Sequence, residues 1–360
     1  MIDWHEVFEQ VPRSLFAPPV FWADLGPGPW ARIDRDADSA LWAEVVARDQ
    51  PLVIQFEDGH AEGTGLATSS LSMPTVVAEF LSRLDPLPHD RVLEIGTGSG
   101  WTAALLSSRP GVKVTSVEVD PDMAAQAAKR LKGAGFHPRL IVGDGAEGWP
   151  PGAPYDRVHA TCAVTSIPNA WIEQTRPGGV IVAPYSPGFG CGTIVRLDVL
   201  PDGAAIGRFC GSADYMLLRS HRPAGGRPRA WVDAGRKAAG SATRLDPRLI
   251  RSAPVSVDLV IATLVPGVVS RFYEDIEQTG EATLWVLDAR GPGGAWASVD
   301  YVPGHETYRV EQAGDRALWE EVEDAYAQWL KWGRPDITRF GMTVTPQAHT
   351  IWLDDPSNIV

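Results

Sequence analysis

The stretch Val92-Leu93-Glu94-Ile95-Gly96-Thr97-Gly98-Ser99-Gly100-Trp101 decides the fold. A short apolar run, Arg91 to Ile95, stops in glycine, and a helix-competent segment follows. That is the strand–turn–helix layout of a nucleotide-binding loop. The glycines fall as G-x-G-x-G. In the dinucleotide pattern G-x-G-x-x-G a third glycine lets helix and strand pack closely, and here that position is Trp101. The loop also lacks the Gly-Lys-Ser/Thr ending that grips phosphates. It therefore suits a nucleoside ligand without a pyrophosphate. Its glycines permit a left-handed backbone and close approach to that ligand.

Outward from the loop, Lys113 to Asp120 reads as a second buried strand. Glu118 lies near its end, about 20 residues after the loop, where a carboxylate can accept both ribose hydroxyls. Arg139 to Gly143 is a third strand, and Gly143-Asp144-Gly145 places another acid by an adenine amino group. Met123 to Leu131 is helical, opened by Asp120-Pro121 and closed near Gly133. Tyr155 to Thr161 and Val180 to Ala183 continue the alternation, which implies crossover units on a parallel sheet. Gly192 to Val199 and Ala204 to Phe209, joined by Leu200-Pro201-Asp202-Gly203, predict an antiparallel hairpin at the sheet edge. The expected fold class is α/β, a Rossmann-like, mostly parallel sheet with an antiparallel edge hairpin, plus a C-terminal α+β domain.

Three zones are expected. Residues 1–68, with breaks such as Gly26-Pro27-Gly28-Pro29, form an N-terminal substrate-side segment. Residues 69–222 form the nucleoside-binding domain. Residues 223–360 form an accessory domain behind the linker Ala224-Gly225-Gly226-Arg227-Pro228-Arg229. In this last zone Val257 to Leu264 and Ala282 to Asp288 read as strands, Arg316 to Lys331 as a helix, and Gly341 to Thr345 with Thr350 to Leu353 as a strand pair.

Composition narrows the function classes. The 360 residues correspond to two domains at roughly 150 each. Apolar residues make up 44% and charged ones 21%, an ordinary globular balance. A net charge of −13 argues against a nucleic-acid partner, because phosphate affinity needs clustered Lys and Arg. Cys162, Cys191 and Cys210 lie too far apart for a Cys-x-x-Cys pair, which points to a reducing compartment. The N-terminus has no signal-peptide pattern, and no run approaches the roughly 20 apolar residues that span a bilayer. A soluble, cytoplasmic protein with no membrane partner is expected. The eight His residues show no ligand spacing, so no metal is expected. Cys162 lacks a His–acid partner pattern and reads as a small buried thiol.

Val11-Pro12-Arg13, Leu15-Phe16, Ser70-Leu71-Ser72-Met73-Pro74, the run V-L-E-I-G-T-G-S-G, Glu118, Gly143-Asp144-Gly145 and Pro154-Tyr155-Asp156 occur together and in order. Over residues 1 to about 200 the chain thereby resembles the protein-L-isoaspartate O-methyltransferases. The resemblance implies a class I methyltransferase fold that uses S-adenosyl-L-methionine and releases S-adenosyl-L-homocysteine. It implies a cofactor-binding set of Glu94, Gly96, Thr97, Gly98, Gly100, Glu118, Val119, Asp144 and Gly145. The loop would hold the methionine part, Glu118 the ribose and Asp144 the adenine. It further implies a catalytic contact from Ser72 to the carboxylate that is methylated, and a substrate-facing set of Arg13, Ser70, Ser72 and Thr75. The partner would be a peptide or protein bearing Asp or isoAsp. Ser72 is also placed to cap a helix over Thr75 to Leu84, and Arg13 could equally pair with a surface acid.

The chemistry implied asks little of acids and bases. A side-chain carboxylate with an ordinary pKa near 3.9 is already an anion at neutral pH. Neither a general base nor a metal is required. The protein's task is positioning, which can supply as much as about 7–11 kcal/mol.

Two departures from the repair enzymes stand out. Thr75 occupies a position where the family commonly carries His or Tyr, and the chain continues into a long C-terminal zone. The segments Asp156-Arg157-Val158 through Ala160-Thr161-Cys162, Ile167-Pro168-Asn169-Ala170-Trp171, Glu173-Gln174-Thr175-Arg176-Pro177-Gly178-Gly179, Arg339-Phe340-Gly341-Met342-Thr343-Val344-Thr345 and Trp352-Leu353-Asp354 are similar to a branch associated with ribosomal peptide natural products of the graspetide, lanthipeptide or lasso type. That resemblance implies methylation of an aspartate in an often cyclised peptide, followed by closure to aspartimide or isoaspartate. The alternative is repair of isoaspartate in damaged proteins. A third reading, a non-catalytic binding module, fits poorly with an intact glycine loop, Glu118 and Asp144.

Seven of the 14 tryptophans (Trp231, Trp285, Trp296, Trp319, Trp329, Trp332 and Trp352) fall in the C-terminal zone. They read either as a peptide-binding surface or as core, with Trp319 and Trp329 favouring core. Trp101 and Trp149 flank the cofactor motifs and could cover the adenosine.

Overall fold

The structure, a computed structural model, describes residues 2–26, 28–223, 228–232, 237–275 and 279–360. Among the described residues the strands form three sheets. The first is a small antiparallel sheet of β1 (Val20–Ala23), β2 (Ala31–Asp34), β3 (Leu52–Phe56) and β4 (Ala67–Leu71), in the order β2-β1-β3-β4.

The large sheet is built from β5 (Arg91–Ile95), β6 (Lys113–Glu118), β7 (Arg139–Val142), β8 (Tyr155–Ala160), β9 (Thr175–Tyr185), β10 (Thr193–Val199) and β11 (Ala205–Ser212). Strands β5 to β9 pair in parallel, and the expected β10–β11 hairpin is antiparallel but lies inside the sheet, because a later strand pair covers the edge it was expected to form. The third sheet holds β12 (Ala239–Thr243), β13 (Val268–Glu274), β14 (Ala282–Asp288), β15 (Trp296–Tyr301) and β16 (Tyr308–Ala313), in the order β12-β16-β15-β14-β13. The chain then returns: β17 (Phe340–Val344) pairs with β11, and β18 (His349–Leu353) pairs with β17, extending the large sheet.

Side-chain alternation shows why the central strands are apolar throughout. On β9, Val180 and Val182 face a core with Phe80, Leu84 and Trp101, while Ile181 and Ala183 face one with Trp171, Val257 and Trp319. Both faces are covered, so these strands read as continuous apolar runs. The helix Pro121–Gly133 starts where the sequence placed it. The Asp120 carboxylate accepts from the amides of Asp122 and Met123 at 2.9 and 3.1 Å, and Pro121 opens the first turn.

Two further expectations are corrected, and one open alternative is decided. Val257 to Leu264 belongs to a helix, Val255–Leu264, buried around most of its circumference and packed on the helix Leu318–Lys331. Apolar residues stand on most sides of the run 257–264, with Asp258 and Thr263 the polar exceptions, so its period does not separate strand from helix. The segment 223–360 does not stay by itself, because β17 and β18 join the large sheet. Residues 237–337 are instead an insertion between the neighbouring strands β11 and β17, and β4 straddles the 68/69 boundary. Of the two readings left open for the C-terminal tryptophans, core holds for Trp319 and Trp329, where it was favoured, and for Trp231, Trp296 and Trp352, all of them buried. Of the linker expected at 224–229, residues 224–227 lie outside the described residues.

Candidate active site

A cavity of about 1120 Å³ opens at the C-terminal ends of β5 and β6, the end at which open α/β sheets bind ligands. Gly96, Thr97 and Gly98 line it, with Glu118 and Val119 from the end of β6, Gly145 after β7, Ser70 on β4 and Ser72 just after it. Gly96, Gly98 and Gly100 have φ of 91, 52 and 94°, a region that side chains enter only under strain. A Cβ on Gly96 would stand 2.6 Å from Thr161 Oγ1. On Gly98 it would only touch Ser69 Oγ and Ser70 O, both at 3.8 Å. The loop thus keeps a bare backbone on the cavity side.

Glu118 anchors that loop. It is 9% exposed; its carboxylate accepts from Gly98 N at 2.8 Å and from Asp120 N at 3.1 Å. Burial pushes its pKa above the ordinary carboxylate range, and these amides pull the other way. Beneath the loop, Glu94 is fully buried. It accepts from Ser116 Oγ at 2.5 Å, and that hydroxyl lies 2.6 Å from Thr97 Oγ1. Its second oxygen, Oε1, has no partner. Burial, with Glu118 as a nearby like charge, pushes its pKa up to about 8.

The opposite wall comes from Tyr215 to Leu218, Arg219 and Arg222. The Tyr215 ring stands 5.3 Å from that of Phe80, and desolvation pushes the phenol's pKa up to about 12. Arg222 grips both oxygens of Asp58 at 3.0 and 2.8 Å, and Arg219 reaches Asp58 at 3.0 Å. Gln55 on β3 donates to Asp120 at 2.8 Å. The small N-terminal sheet is therefore clamped to the large sheet across the cavity. Glu57 and Asp58 hold φ of 46 and 53° at the clamp, the kind of strain that surrounding structure must over-determine.

A bare left-handed loop beside a buried carboxylate, in a cavity of this size, fits a nucleoside-bearing cofactor. Comparison with known proteins decides which. Residues 31–221 match the family "Protein-L-isoaspartate(D-aspartate) O-methyltransferase (PCMT)". The chain belongs to that family. It is 31% identical over 219 residues to the Thermococcus onnurineus protein-L-isoaspartate O-methyltransferase, covering 60% of this chain and 85% of that one. It is 47% identical over 119 residues to the Methanoculleus marisnigri enzyme of that name, 33% of this chain and only 54% of that one. A solved protein-L-isoaspartate O-methyltransferase shares the fold at a TM-score of 0.52 and 21% identity, over 97% of this chain and 94% of the other. The likeness in fold thus extends through the C-terminal region, so that region does not by itself set the chain apart from proteins of that name. The chain is a class I methyltransferase with S-adenosylmethionine as its cofactor.

Within this methyltransferase the expected site residues separate into two groups. Gly96, Thr97, Gly98, Glu118, Val119, Gly145, Ser70 and Ser72 share the cavity. Gly100 caps the following helix, where a Cβ would crowd Leu131, and Glu94 lies below the loop. Asp144 is turned aside: its Oδ1 accepts from Ala146 N at 2.9 Å and Ser220 Oγ at 3.1 Å, and the cavity wall is formed by Gly145 instead.

Two substrate-facing expectations are corrected. Arg13 is buried, and its guanidinium donates to the carbonyls of Val46, Arg48, Gln50, Leu71 and Ser72 at 2.7–3.2 Å. It ties the N-terminal segment to the Ser72 turn and is not part of the cavity wall. Thr75 is exposed and bonds Asp49 through both amide and hydroxyl. Ser72 is not the helix cap either: Met73 holds that position, with no side-chain bond.

Trp101 lines the cavity with its indole N–H spent on Val11 O at 2.9 Å, whereas Trp149 lies away from it under Arg139. The Cys162 thiol faces the cavity, and burial pushes its pKa up to about 12, so it stays protonated. Tyr215, Gln55, Asp58, Arg219 and Arg222 were not legible beforehand. Asp58 and Arg222 stand 164 residues apart, and no local motif links them.

Proposed function

We propose that this methyltransferase esterifies the side-chain carboxylate of an aspartate in a ribosomally made peptide, of the often cyclised kind that its C-terminal motifs resemble, in the cytoplasm. The observation that carries the reading is a shared cavity. The glycine loop and Ser72 line one end, and Trp231, Val269, Arg271, Leu287 and Ala289 of the C-terminal insertion line the other. A substrate reaching Ser72 meets the insertion as well, which suits a peptide with its own recognition surface.

The bound cofactor supplies an electrophilic methyl group. Every other requirement falls on this chain. Glu118 holds the ribose hydroxyls while its own position is fixed by Gly98 N and Asp120 N. The Ser72 hydroxyl donates to one oxygen of the substrate carboxylate and leaves the other free to attack in line. No proton needs to leave the nucleophile, in keeping with a cavity whose thiol and phenol are both held protonated. Methoxide leaves an ester far more readily than oxide leaves a carboxylate, so the next residue's amide nitrogen attacks the ester carbonyl, its proton departs with the methoxide as methanol, and an aspartimide closes.

A second reading, repair of isoaspartate in damaged proteins, is favoured by the solved enzyme of that name that follows this chain's fold over 97% of its length. Labelled S-adenosylmethionine separates the two, using matched peptides that differ only in aspartate against isoaspartate. Label on the isoaspartyl peptide alone means repair. Label on an aspartyl peptide, or on neither linear peptide while cofactor binding is intact, means a dedicated partner.

A further inference from the structure

The cavity wall farthest in sequence from the glycine loop is formed by the edge strand β13 and its neighbour β14. Val269 and Arg271, two residues apart, present the same face of β13 to the cavity, alongside Leu287 of β14. This wall is fixed to the methyltransferase half. In the connection between β9 and β10, Gly190 N donates to Ser270 Oγ at 3.1 Å and Cys191 N to the Asp258 carboxylate at 2.9 Å. A Cβ on Gly188 would stand 2.6 Å from Val268 O, so backbone there lies directly on β13. Ser186, Pro187 and Gly188 of the same connection also line the cavity. Arg271 therefore keeps a set position relative to the reacting end.

The charges in the wall are unequally committed. Arg219 and Arg222 are both paired with Asp58, and Arg219 also approaches Asp120 at 3.7 Å. Glu118 is taken up by backbone amides. Arg271 is exposed, donates through one nitrogen to the Ser270 carbonyl at 2.8 Å, and has no acidic partner among the described residues. Asp214 shares the wall without pairing with it among those residues.

We infer that Arg271 binds a second carboxylate of the peptide substrate, separate from the one that is methylated. Resting on the proposed function, it makes Arg271 a specificity-determining residue. A guanidinium presents a planar fork that matches a carboxylate with two parallel hydrogen bonds. The apolar floor of Val269, Leu287 and Trp231 strengthens such a pair by lowering the local polarity. Asp214 repels an acid placed elsewhere at this end and so narrows the acceptable position. Two-point attachment, at Ser72 and at Arg271, also orients the attacking carboxylate. The second carboxylate is either an acidic side chain near the methylated residue or the peptide's own C-terminus.

The test uses the full chain with S-adenosylhomocysteine bound and calorimetric titration of peptide sets. Each set holds one aspartyl or isoaspartyl residue, with Glu or Gln at each of the three flanking positions on either side, and a free or amidated C-terminus. The wild-type protein is expected to bind an acid-bearing member about tenfold more tightly than its neutral counterpart, with the preference shrinking as salt rises. Preference at a flanking Glu identifies a side-chain acid; preference for the free C-terminus identifies the α-carboxylate. In Arg271→Gln the charged and neutral members are expected to bind alike, and Arg271→Lys keeps part of the preference. Equal binding of all members by the wild-type protein overturns the inference, as does an equal loss for charged and neutral members in Arg271→Gln. Acid preference together with methyl transfer to the isoaspartyl members alone overturns the proposed reaction in favour of repair and leaves the Arg271 site standing.

Discussion

Replacing Glu94 by Gln tests whether the carboxyl under the glycine loop is protonated in the folded protein. Burial, first, and the charge of Glu118 move its pKa from the ordinary 4.5 to about 8. Between those values the unfolded chain has lost the proton and the folded chain keeps it. Stability therefore falls as pH rises through this window and levels off above it. At about 1.4 kcal/mol per pH unit the whole span costs about 5 kcal/mol. From pH 5 to pH 8 the loss is about 3 to 4 kcal/mol. Glutamine cannot ionise. It keeps the bond from Ser116 Oγ and places its amide where Oε1 already lacks a partner, which adds an offset independent of pH. Urea denaturation of both proteins without cofactor, at pH 5, 6, 7 and 8, reads the difference. Glu94→Gln is expected to gain on the wild type by about 3 to 4 kcal/mol across that range. Curves that stay parallel to within about 1 kcal/mol would refute a protonated Glu94.

Other perturbations separate the parts of the site. Glu118→Ala should weaken S-adenosylhomocysteine binding by at least tenfold in calorimetry, since it removes both the proposed ribose contact and the anchor of Gly98. Ser72→Ala should lower kcat by about ten- to a hundredfold with cofactor affinity unchanged, the pattern of a contact made to the reacting group; unchanged turnover would remove Ser72 from the reaction. Asp58→Asn breaks the clamp from Arg219 and Arg222 and should weaken cofactor affinity by about fivefold, while a change in denaturation midpoint without that loss would make the clamp structural only. Arg13→Ala strips five carbonyls of their donor and should cost about 3 to 5 kcal/mol in urea denaturation, with activity per folded molecule retained.

What the sequence made legible was whatever a short stretch specifies alone. The strand–glycine–helix turn is local, because left-handed backbone at Gly96, Gly98 and Gly100 is written directly into residue type. So is the Asp120-Pro121 helix start, where cap and first turn sit side by side. The position of Glu118 follows from one strand–helix–strand repeat. Failure began where a residue's role depends on what folds over it. Arg13 is a cation near a substrate motif, which in sequence reads as a carboxylate receptor; in the fold the N-terminal segment and the Ser72 turn close around it and fill its donors with carbonyls. Thr75 follows the same motif, yet the first turn of the helix points it outward to Asp49. The helix Val255–Leu264 is apolar around most of its circumference because helix and sheet cover it together, and that blurs the period that would have named it.

The same distinction explains why the cofactor half of the site is written plainly and the substrate half is not. A nucleoside with fixed hydroxyls can be held by a loop and one acid on adjacent strands, so consecutive sequence suffices. A peptide is held by walls brought from far apart: Ser72 behind β4, Tyr215 behind β11, Arg271 on an inserted edge strand. Nothing in the chain near Ser72 announces Arg271, 199 positions later. Only the clasp of the β9–β10 connection on β13 places the two in one cavity. The consequence is testable by design: changes confined to the insertion should alter which peptide is accepted while leaving S-adenosylhomocysteine affinity where it was. A substitution at Arg271 that shifted cofactor affinity as strongly as peptide affinity would show that the two halves are not divided in this way.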